Sequence, residues 1–155
     1  ILPPNCDPDP NLYGFEFEYK TFLSPFDKLY MNYSYVDGNS HLNSTNEKTS
    51  LTNVAHHLAK AYYIHSFENG ISLSGIAKYV GSKDRVSQDS RAKVSDYITL
   101  DTTLYYKNLK YGYTITGSIK NIFDEKVVYP SPVNTYVDDY IQEGRNFLLT
   151  LTKKF

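Results

Sequence analysis

The chain has 155 residues, enough for one domain-sized unit, and 16 Lys and Arg against 17 Asp and Glu give a formal net charge of -1. This balance offers no basic surface for nucleic acid. With a mean hydropathy of -0.47, no stretch approaches the roughly 18 apolar residues of a membrane helix, although β-strands of a membrane barrel pass unnoticed by hydropathy because they alternate polar and apolar residues.

The N-terminal stretch 1–11 is rich in Pro, Asp and Asn and begins Ile-Leu-Pro-Pro, with no Met and no signal peptide. We therefore expect the chain to be an excised or mature piece of a longer protein. Cys6 is the single cysteine and has no internal partner, so it is either a free thiol or has lost a partner upstream. Asp7 and Asp9 flank Pro8, and a solvated turn is favoured over a calcium loop.

Seven segments of membrane-strand length follow, and six of them alternate apolar and polar residues with the period of a β-strand. The predicted strands are 12–22, 28–37, 56–67, 71–80, 97–106, 112–121 and 145–155. In the first, Tyr13, Phe15, Phe17 and Tyr19 share one face, while Gly14, Glu16, Glu18 and Lys20 share the other. Segment 56–67 alternates poorly.

The connections alternate in length. Short links follow the first, third and fifth predicted strands, and long links (38–55, 81–96 and 122–144) follow the second, fourth and sixth. Outer-membrane barrels have short periplasmic turns and long extracellular loops. Tyrosines near the strand ends suit aromatic girdles at the membrane interfaces. These are Tyr13, Tyr35, Tyr79, Tyr97, Tyr106, Tyr111 and Tyr113.

The last strand is the most informative, because its apolar face runs to a terminal aromatic residue. Phe147, Leu149, Leu151, Lys153 and Phe155 share this face, and Leu148, Thr150, Thr152 and Lys154 share the opposite one. A soluble protein that left such a strand at a sheet edge would risk aggregation. The closing strand of an outer-membrane barrel needs this pattern.

Three stretches resemble the C-terminal end of TonB-dependent outer-membrane receptors. They are NLYGFEFE at 11–18 with its partner YMNYSYVD at 30–37, GSIKNIFD at 117–124, and GRNFLLTLTKKF at 144–155. Tyr97 and Asp101 also match a Tyr-x-x-x-Asp pattern of the family. The chain departs from the family at Ile122, where Leu is usual, and at Lys153, where an aromatic residue is frequent.

The resemblance implies an all-β, antiparallel up-and-down transmembrane β-barrel. Residues 1–155 would be a single segment, the last seven strands of a barrel of about 22 strands, with the N-terminal plug domain absent. It implies active import of a scarce nutrient, most often a ferric siderophore, across a Gram-negative outer membrane with TonB-delivered energy. The C-terminus would be periplasmic. Implied partners are outer-membrane lipid and lipopolysaccharide, the plug and TonB through the missing part, the barrel-assembly machinery, and a small metal chelate.

The resemblance also assigns roles to residues. Phe147, Leu149, Leu151 and Phe155 would form the terminal signal for barrel assembly. The structural motif residues would be Gly14, Glu16, Glu18, Asn121, Phe123, Asp124, Gly144 and Arg145. From position we expect Gly144 to turn at positive φ, Arg145 to pair with a loop carboxylate, and Asn121 and Asp124 to close strand six with a side-chain-to-backbone turn.

The outer loops are where a ligand would bind. Arg85, Arg91, Tyr129, Tyr136 and Tyr140 are the candidate contacts. The mixed charges of loop 81–96 favour a solvated face, while a grip on an anionic chelate or on lipopolysaccharide phosphates is an alternative. Similarly, the Tyr and Pro residues of loop 122–144 either stack on a ligand or stabilise a long loop.

No catalytic, metal or cofactor site is predicted. His56 and His57 are adjacent and would point to opposite faces, and the chain has no phosphate loop, zinc-spaced cysteine pair or nucleophile elbow. We therefore do not expect an enzyme. A passive porin or adhesin barrel and a soluble antiparallel ligand-binding domain are the alternatives to the receptor, with an outer-membrane phospholipase a distant third.

Overall fold

The computed structural model describes residues 11–41, 48–133 and 135–154 and shows ten β-strands in these ranges. The strands are β1 (Asn11–Phe22), β2 (Asp27–His41), β3 (Lys48–Ser50), β4 (His57–Ser66), β5 (Ile71–Val80), β6 (Tyr97–Asn108), β7 (Tyr113–Lys120), β8 (Val128–Tyr129), β9 (Tyr140–Ile141) and β10 (Asn146–Lys153). Five residues discussed above, Cys6, Asp7, Pro8, Asp9 and Phe155, lie outside the described residues.

Seven strands form one antiparallel up-and-down sheet in the order β1-β2-β4-β5-β6-β7-β10. Each of them pairs with the next long strand along the chain, so the connections do not cross. The short strand β3 pairs with the end of β2, and β8 and β9 form a separate two-stranded ribbon. The all-β antiparallel prediction is confirmed. In the described part of the chain β1 and β10 are the two edges of this sheet.

The strand register gives the sheet one apolar face, because residues directly opposite one another point to the same side. Leu149 lies opposite Gly117, Gly117 opposite Leu104, and Leu104 opposite Leu73. At the other edge Phe15 lies opposite Tyr35. The apolar residues of the separate strands therefore lie side by side on one surface of the sheet, which we call the apolar face.

The apolar face is uncovered. Phe147, Leu149 and Leu151 of β10 are 70%, 77% and 71% exposed. No described side chain is fully buried, and the few buried residues lie mainly where the long connections meet the sheet. A soluble sheet of this size would bury such a face against a second layer, so this face needs an apolar solvent or a partner.

The opposite, polar face is held together by side-chain pairs across neighbouring strands. Lys78 donates to Asp101 at 2.6 Å, and the hydroxyls of Thr103 and Ser118 lie 3.0 Å apart. Glu18 forms an ion pair with Lys20 along β1. One face is thus apolar and the other is a polar wall.

The connections segregate by length. Links 23–26, 67–70 and 109–112 lie at one end of the sheet, and the described parts of the long loops 42–56, 81–96 and 121–145 lie at the other. We call these the turn end and the loop end. Gly70 and Gly112 adopt φ of 81° and 65° in two of the short links, a conformation that side chains other than those of Gly rarely adopt.

Strand boundaries largely match the sequence prediction. β5 is as predicted, and β2 runs four residues further, to His41, because β3 extends its ladder. The poorly alternating segment is a strand, β4. Its two faces are mixed because Ala59 and Ala61 follow His57 on the apolar side while Leu58 faces the polar side.

One girdle assignment is wrong. Tyr97 lies opposite Val80, on the same side as Thr99 and Asp101, so its ring belongs to the polar face. There it lines a pocket with Tyr129 of the last long loop. Tyr13, Tyr35 and Tyr79 do lie at the loop end of the apolar face.

Within the described residues, no helix is long and apolar enough to cross a membrane.

Candidate functional site

The three long loops pack together at the loop end of the sheet. Lys83 and Val94 exchange backbone hydrogen bonds of 2.9 and 3.0 Å within loop 81–96. Loop 42–56 joins them, because Ala55 bridges to Lys83 and the amide of Asn53 donates to the carbonyl of Asp84 at 2.6 Å. Ala55 and Val94 are buried in this assembly. The loops therefore carry a small core of their own.

A buried lysine ties the third loop to the second. Lys83 is 6% exposed, and its ammonium lies 4.3 Å from the centre of the Tyr129 ring. A cation over an aromatic face is attracted by the ring quadrupole, more strongly where water is excluded. Tyr129 thereby has a structural partner in addition to its predicted place among the ligand contacts.

Four charged residues, Arg85, Asp89, Arg91 and Asp139, form a second tie, which we call the loop quartet. Arg85 binds Asp139 through two parallel hydrogen bonds of 3.0 and 2.5 Å, and its Nε donates to the carbonyl of Ala92 at 2.6 Å. Arg91 binds Asp89 at 2.8 and 2.7 Å. Paired guanidinium–carboxylate bonds of this kind are the strong ones.

Arg91 also reaches the third loop directly. It donates to the hydroxyl of Ser131 at 2.8 Å, to the Ser131 carbonyl at 3.0 Å and to the Val137 carbonyl at 3.3 Å. The quartet therefore joins residues 40 to 54 positions apart in the sequence.

The quartet is partly withdrawn from water, and its charges shift one another's titration. The side chains of Arg85 and Asp89 are each 6% exposed. The hydrogen bond from Arg91 lowers the pKa of Asp89, and that from Arg85 lowers the pKa of Asp139. The same partners raise the pKa of both arginines. The favoured solvated-face interpretation of loop 81–96 is therefore wrong for Arg85 and Asp89.

An open groove of about 1050 Å³ runs between the second and third long loops, and Arg85, Arg91 and Asp139 of the quartet form part of its lining. The rings of Tyr136 and Tyr140 stack at its edge, with centroids 5.8 Å apart and planes 9° apart. Exposed Lys93 and Lys126 also line it, together with Asp138. Aromatic faces next to ammonium groups suit a flat ligand that carries negative charge.

Asn121 closes β7 as the sequence predicts. Its φ is 49°, its Nδ2 donates to the carbonyl of Glu125 at 2.8 Å, and its Oδ1 accepts from the Glu125 amide at 2.9 Å. The Asn121 amide in turn donates to Asp101 at 2.9 Å. Buried polar groups are stable when they are paired in this way. The residue sets where the third loop leaves the sheet.

Gly144 and Arg145 act differently from the sequence expectation. Gly144 does not have a positive φ. A Cβ there would lie 2.6 Å from Oδ1 of Asp124, so a larger residue would displace that carboxylate from its position. That carboxylate accepts the amide of Arg145 at 2.7 Å, while the Arg145 side chain donates to the Ile122 carbonyl at 3.2 Å. The sequence predicts a carboxylate partner for the Arg145 side chain, but the Asp124 carboxylate binds the Arg145 backbone instead.

The remaining motif residues lie on or beside the sheet. Gly14 allows close approach of β2, since a Cβ there would lie 2.3 Å from the Tyr35 carbonyl oxygen. Glu16 and Glu18 are exposed on the polar face, and Phe123 is exposed in the third loop. In the described part of the chain no three His, Cys, Asp or Glu residues are grouped to hold a metal. The rings of His56 and His57 bind Val36 and Tyr33 respectively.

Sequence reasoning missed the pairing within the quartet and the groove residue Lys126. The charges of both loops were visible, but nothing in their spacing indicates which carboxylate meets which arginine across a 54-residue separation. The sequence gives one hint of this pairing, because each of the two loops carries both acidic and basic residues.

A known protein family is similar to this chain over most of its length. The family described as TonB dependent receptor-like, beta-barrel matches residues 8–122. The match extends over the sheet from β1 to β7 and over the first two long loops. A search of curated proteins finds no match.

Proposed function

The chain belongs to the TonB-dependent receptor-like β-barrel family, and from this premise we propose that it is the C-terminal part of a receptor that imports a ferric siderophore. Members of this family are outer-membrane β-barrels that act in active transport with energy delivered through TonB. The identity of the ligand and the extent of the complete receptor are our proposal.

The observation that carries the ligand proposal is the groove between the second and third long loops. It combines the stacked pair Tyr136 and Tyr140 with the ammonium groups of Lys93 and Lys126. A ferric catecholate siderophore is compact, carries negative charge because three doubly charged catecholates surround one Fe³⁺, and presents flat aromatic rings. A site that combines aromatic stacking with charge attraction matches this chemistry better than a purely apolar site or a purely charged site would.

The proposal places the apolar face against lipid and the polar face toward the lumen. Seven strands with two free edges cannot stand alone in a bilayer, where every backbone group must be paired. The complete barrel would therefore hold further strands; the family resemblance implies about 22 in all, with these as the last seven, around a plug that contacts TonB. The terminal strand, with Phe155 at its end, would be read by the barrel-assembly machinery, and lipopolysaccharide would surround the loop end. The role is binding and transport, without catalysis.

The test is uptake by cells that express the complete gene product. A strain without its own siderophore receptors would be supplied with radioactive iron bound to catecholate or hydroxamate chelators, and in parallel with haem and cobalamin. We expect uptake of one ferric chelate that requires both the gene and TonB. Uptake without TonB would favour a passive porin. TonB-dependent uptake of haem or cobalamin alone would keep the receptor and replace the siderophore.

A matched pair of variants connects uptake to the groove. Tyr136→Ala removes one ring of the stacked pair, whereas Tyr111→Ala removes an exposed tyrosine at the turn end. Loss of one stacking partner is worth about 1–3 kcal/mol, or roughly 5- to 150-fold in affinity. We expect the first variant to weaken chelate binding by that amount and the second to leave it unchanged. Equal affinities would remove the groove from the proposal.

A further inference from the structure

The loop quartet raises the question of whether its arginines meet the ligand or hold the loops. Every nitrogen of both guanidinium groups already has a protein acceptor. Arg85 uses Asp139, Asp89 and the Ala92 carbonyl, and Arg91 uses Asp89, Ser131 and the Val137 carbonyl. All five N–H groups of Arg91 and four of the five of Arg85 are engaged in this way, and the Arg85 side chain is only 6% exposed. An anion that displaced these bonds would leave carboxylates buried without their partners, which is costly.

The contacts that Arg85 and Arg91 make with the third loop all fall on one of its segments, between Ser131 and Asp139. Arg91 binds Ser131 and the Val137 carbonyl, Arg85 binds Asp139, and the Ser131 hydroxyl donates to the Tyr136 carbonyl at 3.3 Å. The amide of Ser131 also donates to Asp139 at 3.3 Å. Tyr136 lies between Ser131 and Val137 in the sequence, and Tyr140 directly follows Asp139. Because the quartet holds these neighbouring residues, it sets the position of both rings.

We propose that the quartet is an inter-loop lock and that Arg85 and Arg91 are positioning residues, which hold the Tyr136–Tyr140 pair in place before any ligand arrives. The geometry of the loops alone supports the lock, whereas the effect of the lock on ligand affinity rests on the proposed function. A groove whose walls are fixed in advance binds more tightly because less ordering remains to be done on binding.

The lock is tested without ligand, in the complete gene product folded in detergent. Amide hydrogen exchange would be followed in peptides that cover residues 131–140. Exchange through local opening reports the free energy of that opening. We expect Arg85→Ala to accelerate exchange there by about tenfold or more. Lys93→Ala, which alters the groove without touching the quartet, should leave exchange unchanged.

Charge exchange separates a lock from a ligand contact. Arg85→Glu combined with Asp139→Arg restores an ion pair but moves the positive charge to the other loop. The new carboxylate at position 85 would face Asp89 and the new guanidinium at position 139 would face Arg91, so a lock is rescued in part, and exchange in residues 131–140 should be slower in the double variant than in either single variant. Unchanged exchange in Arg85→Ala, or no rescue by the double variant, would overturn the proposal. Asp139→Asn, which keeps the size of the side chain, serves if the arginine variants fold poorly.

Ligand affinity supplies the second readout, once uptake has identified a chelate. If Arg85 positions the rings, the double variant binds the chelate more tightly than either single variant, in step with its slower exchange. If Arg85 touches the ligand, the double variant binds as weakly as Arg85→Glu although its exchange is slower, and the positioning role is overturned. Failure of every chelate to bind would contradict the siderophore proposal and would leave the exchange result to decide the lock.

Discussion

Asn121 shows how one buried polar side chain can end a strand and start a loop. It combines a left-handed backbone with a pair of hydrogen bonds to Glu125, and its own amide is held by Asp101. Asn adopts this conformation more readily than most residues because its short side chain can bond to the nearby backbone. The direction of the third long loop therefore depends on a single residue.

Replacing Asn121 should loosen the start of that loop. Asn121→Ala removes both hydrogen bonds and places a less suitable residue at positive φ, while Asn121→Gly removes the bonds but tolerates the backbone. We expect each to destabilise the turn by about 1–2 kcal/mol, or roughly 5- to 30-fold faster exchange of the Glu125 amide, with the larger effect for Ala. Exchange in Asn121→Gly at the original rate would show that the backbone conformation alone matters.

The carboxylates of the quartet predict how the loops respond to acid. Arginine partners lower the pKa of Asp89 and Asp139 in the folded protein. The stability they contribute is therefore present above the ordinary Asp pKa of about 3.9 and is lost as pH falls through the lower, folded values. Protection of residues 131–140 from exchange, corrected for intrinsic rates, should be the same at pH 7 and pH 5. Loss of protection between these pH values would contradict the assignment.

At the scale of the element, β10 displays the two faces of the sheet most clearly. Leu149 lies on the apolar face opposite Gly117, and Thr150 lies on the polar face opposite Thr116. A lipid-facing position excludes charge, whereas a lumen-facing position accepts it. Adjacent residues of one strand therefore form a matched pair for testing which face meets lipid.

Leu149→Lys should reduce the amount of folded receptor in the outer membrane, and Thr150→Lys should be tolerated. A lysine facing lipid near the bilayer centre costs about 2–4 kcal/mol. The measurement is the folded fraction, read from the altered mobility of unheated barrels on gels, for variants expressed at equal levels. Equal folding of the two variants would mean that the apolar face is covered by protein.

Six of the seven long strands could be predicted from the sequence because each carries a period-two pattern that only local residues determine; β4, which alternates poorly, is the exception. Alternation placed β5 and the start of β6 correctly. The short strands β3, β8 and β9 could not be found in this way, since two or three residues carry no period. These short strands form only because the folded loops bring their partner segments together. The groove rings Tyr136 and Tyr140 were singled out by residue type, while the pairing of Arg85 with Asp139 needed three-dimensional structure.

For the whole molecule, the arrangement of the connections is the feature that orients it. Each long strand pairs with the next long strand along the chain, and at the loop end the long loops also pack on one another. The loop end holds the buried residues and the groove, and the turn end holds three links of four residues, 23–26, 67–70 and 109–112. In an outer membrane the loop end should face the medium and the turn end the periplasm.

Cysteine labelling on intact cells tests this orientation. In a Cys6→Ser background, Ser87→Cys places an exposed thiol in loop 81–96 and Glu68→Cys places one in the short link 67–70. A maleimide that cannot cross the outer membrane should label Ser87→Cys on intact cells. It should label Glu68→Cys only after the outer membrane is permeabilised, because that link would lie in the periplasm beside the C-terminus. Labelling of both thiols on intact cells would contradict a membrane-spanning sheet, and the reverse pattern would invert its orientation and place the groove where no external chelate could reach it.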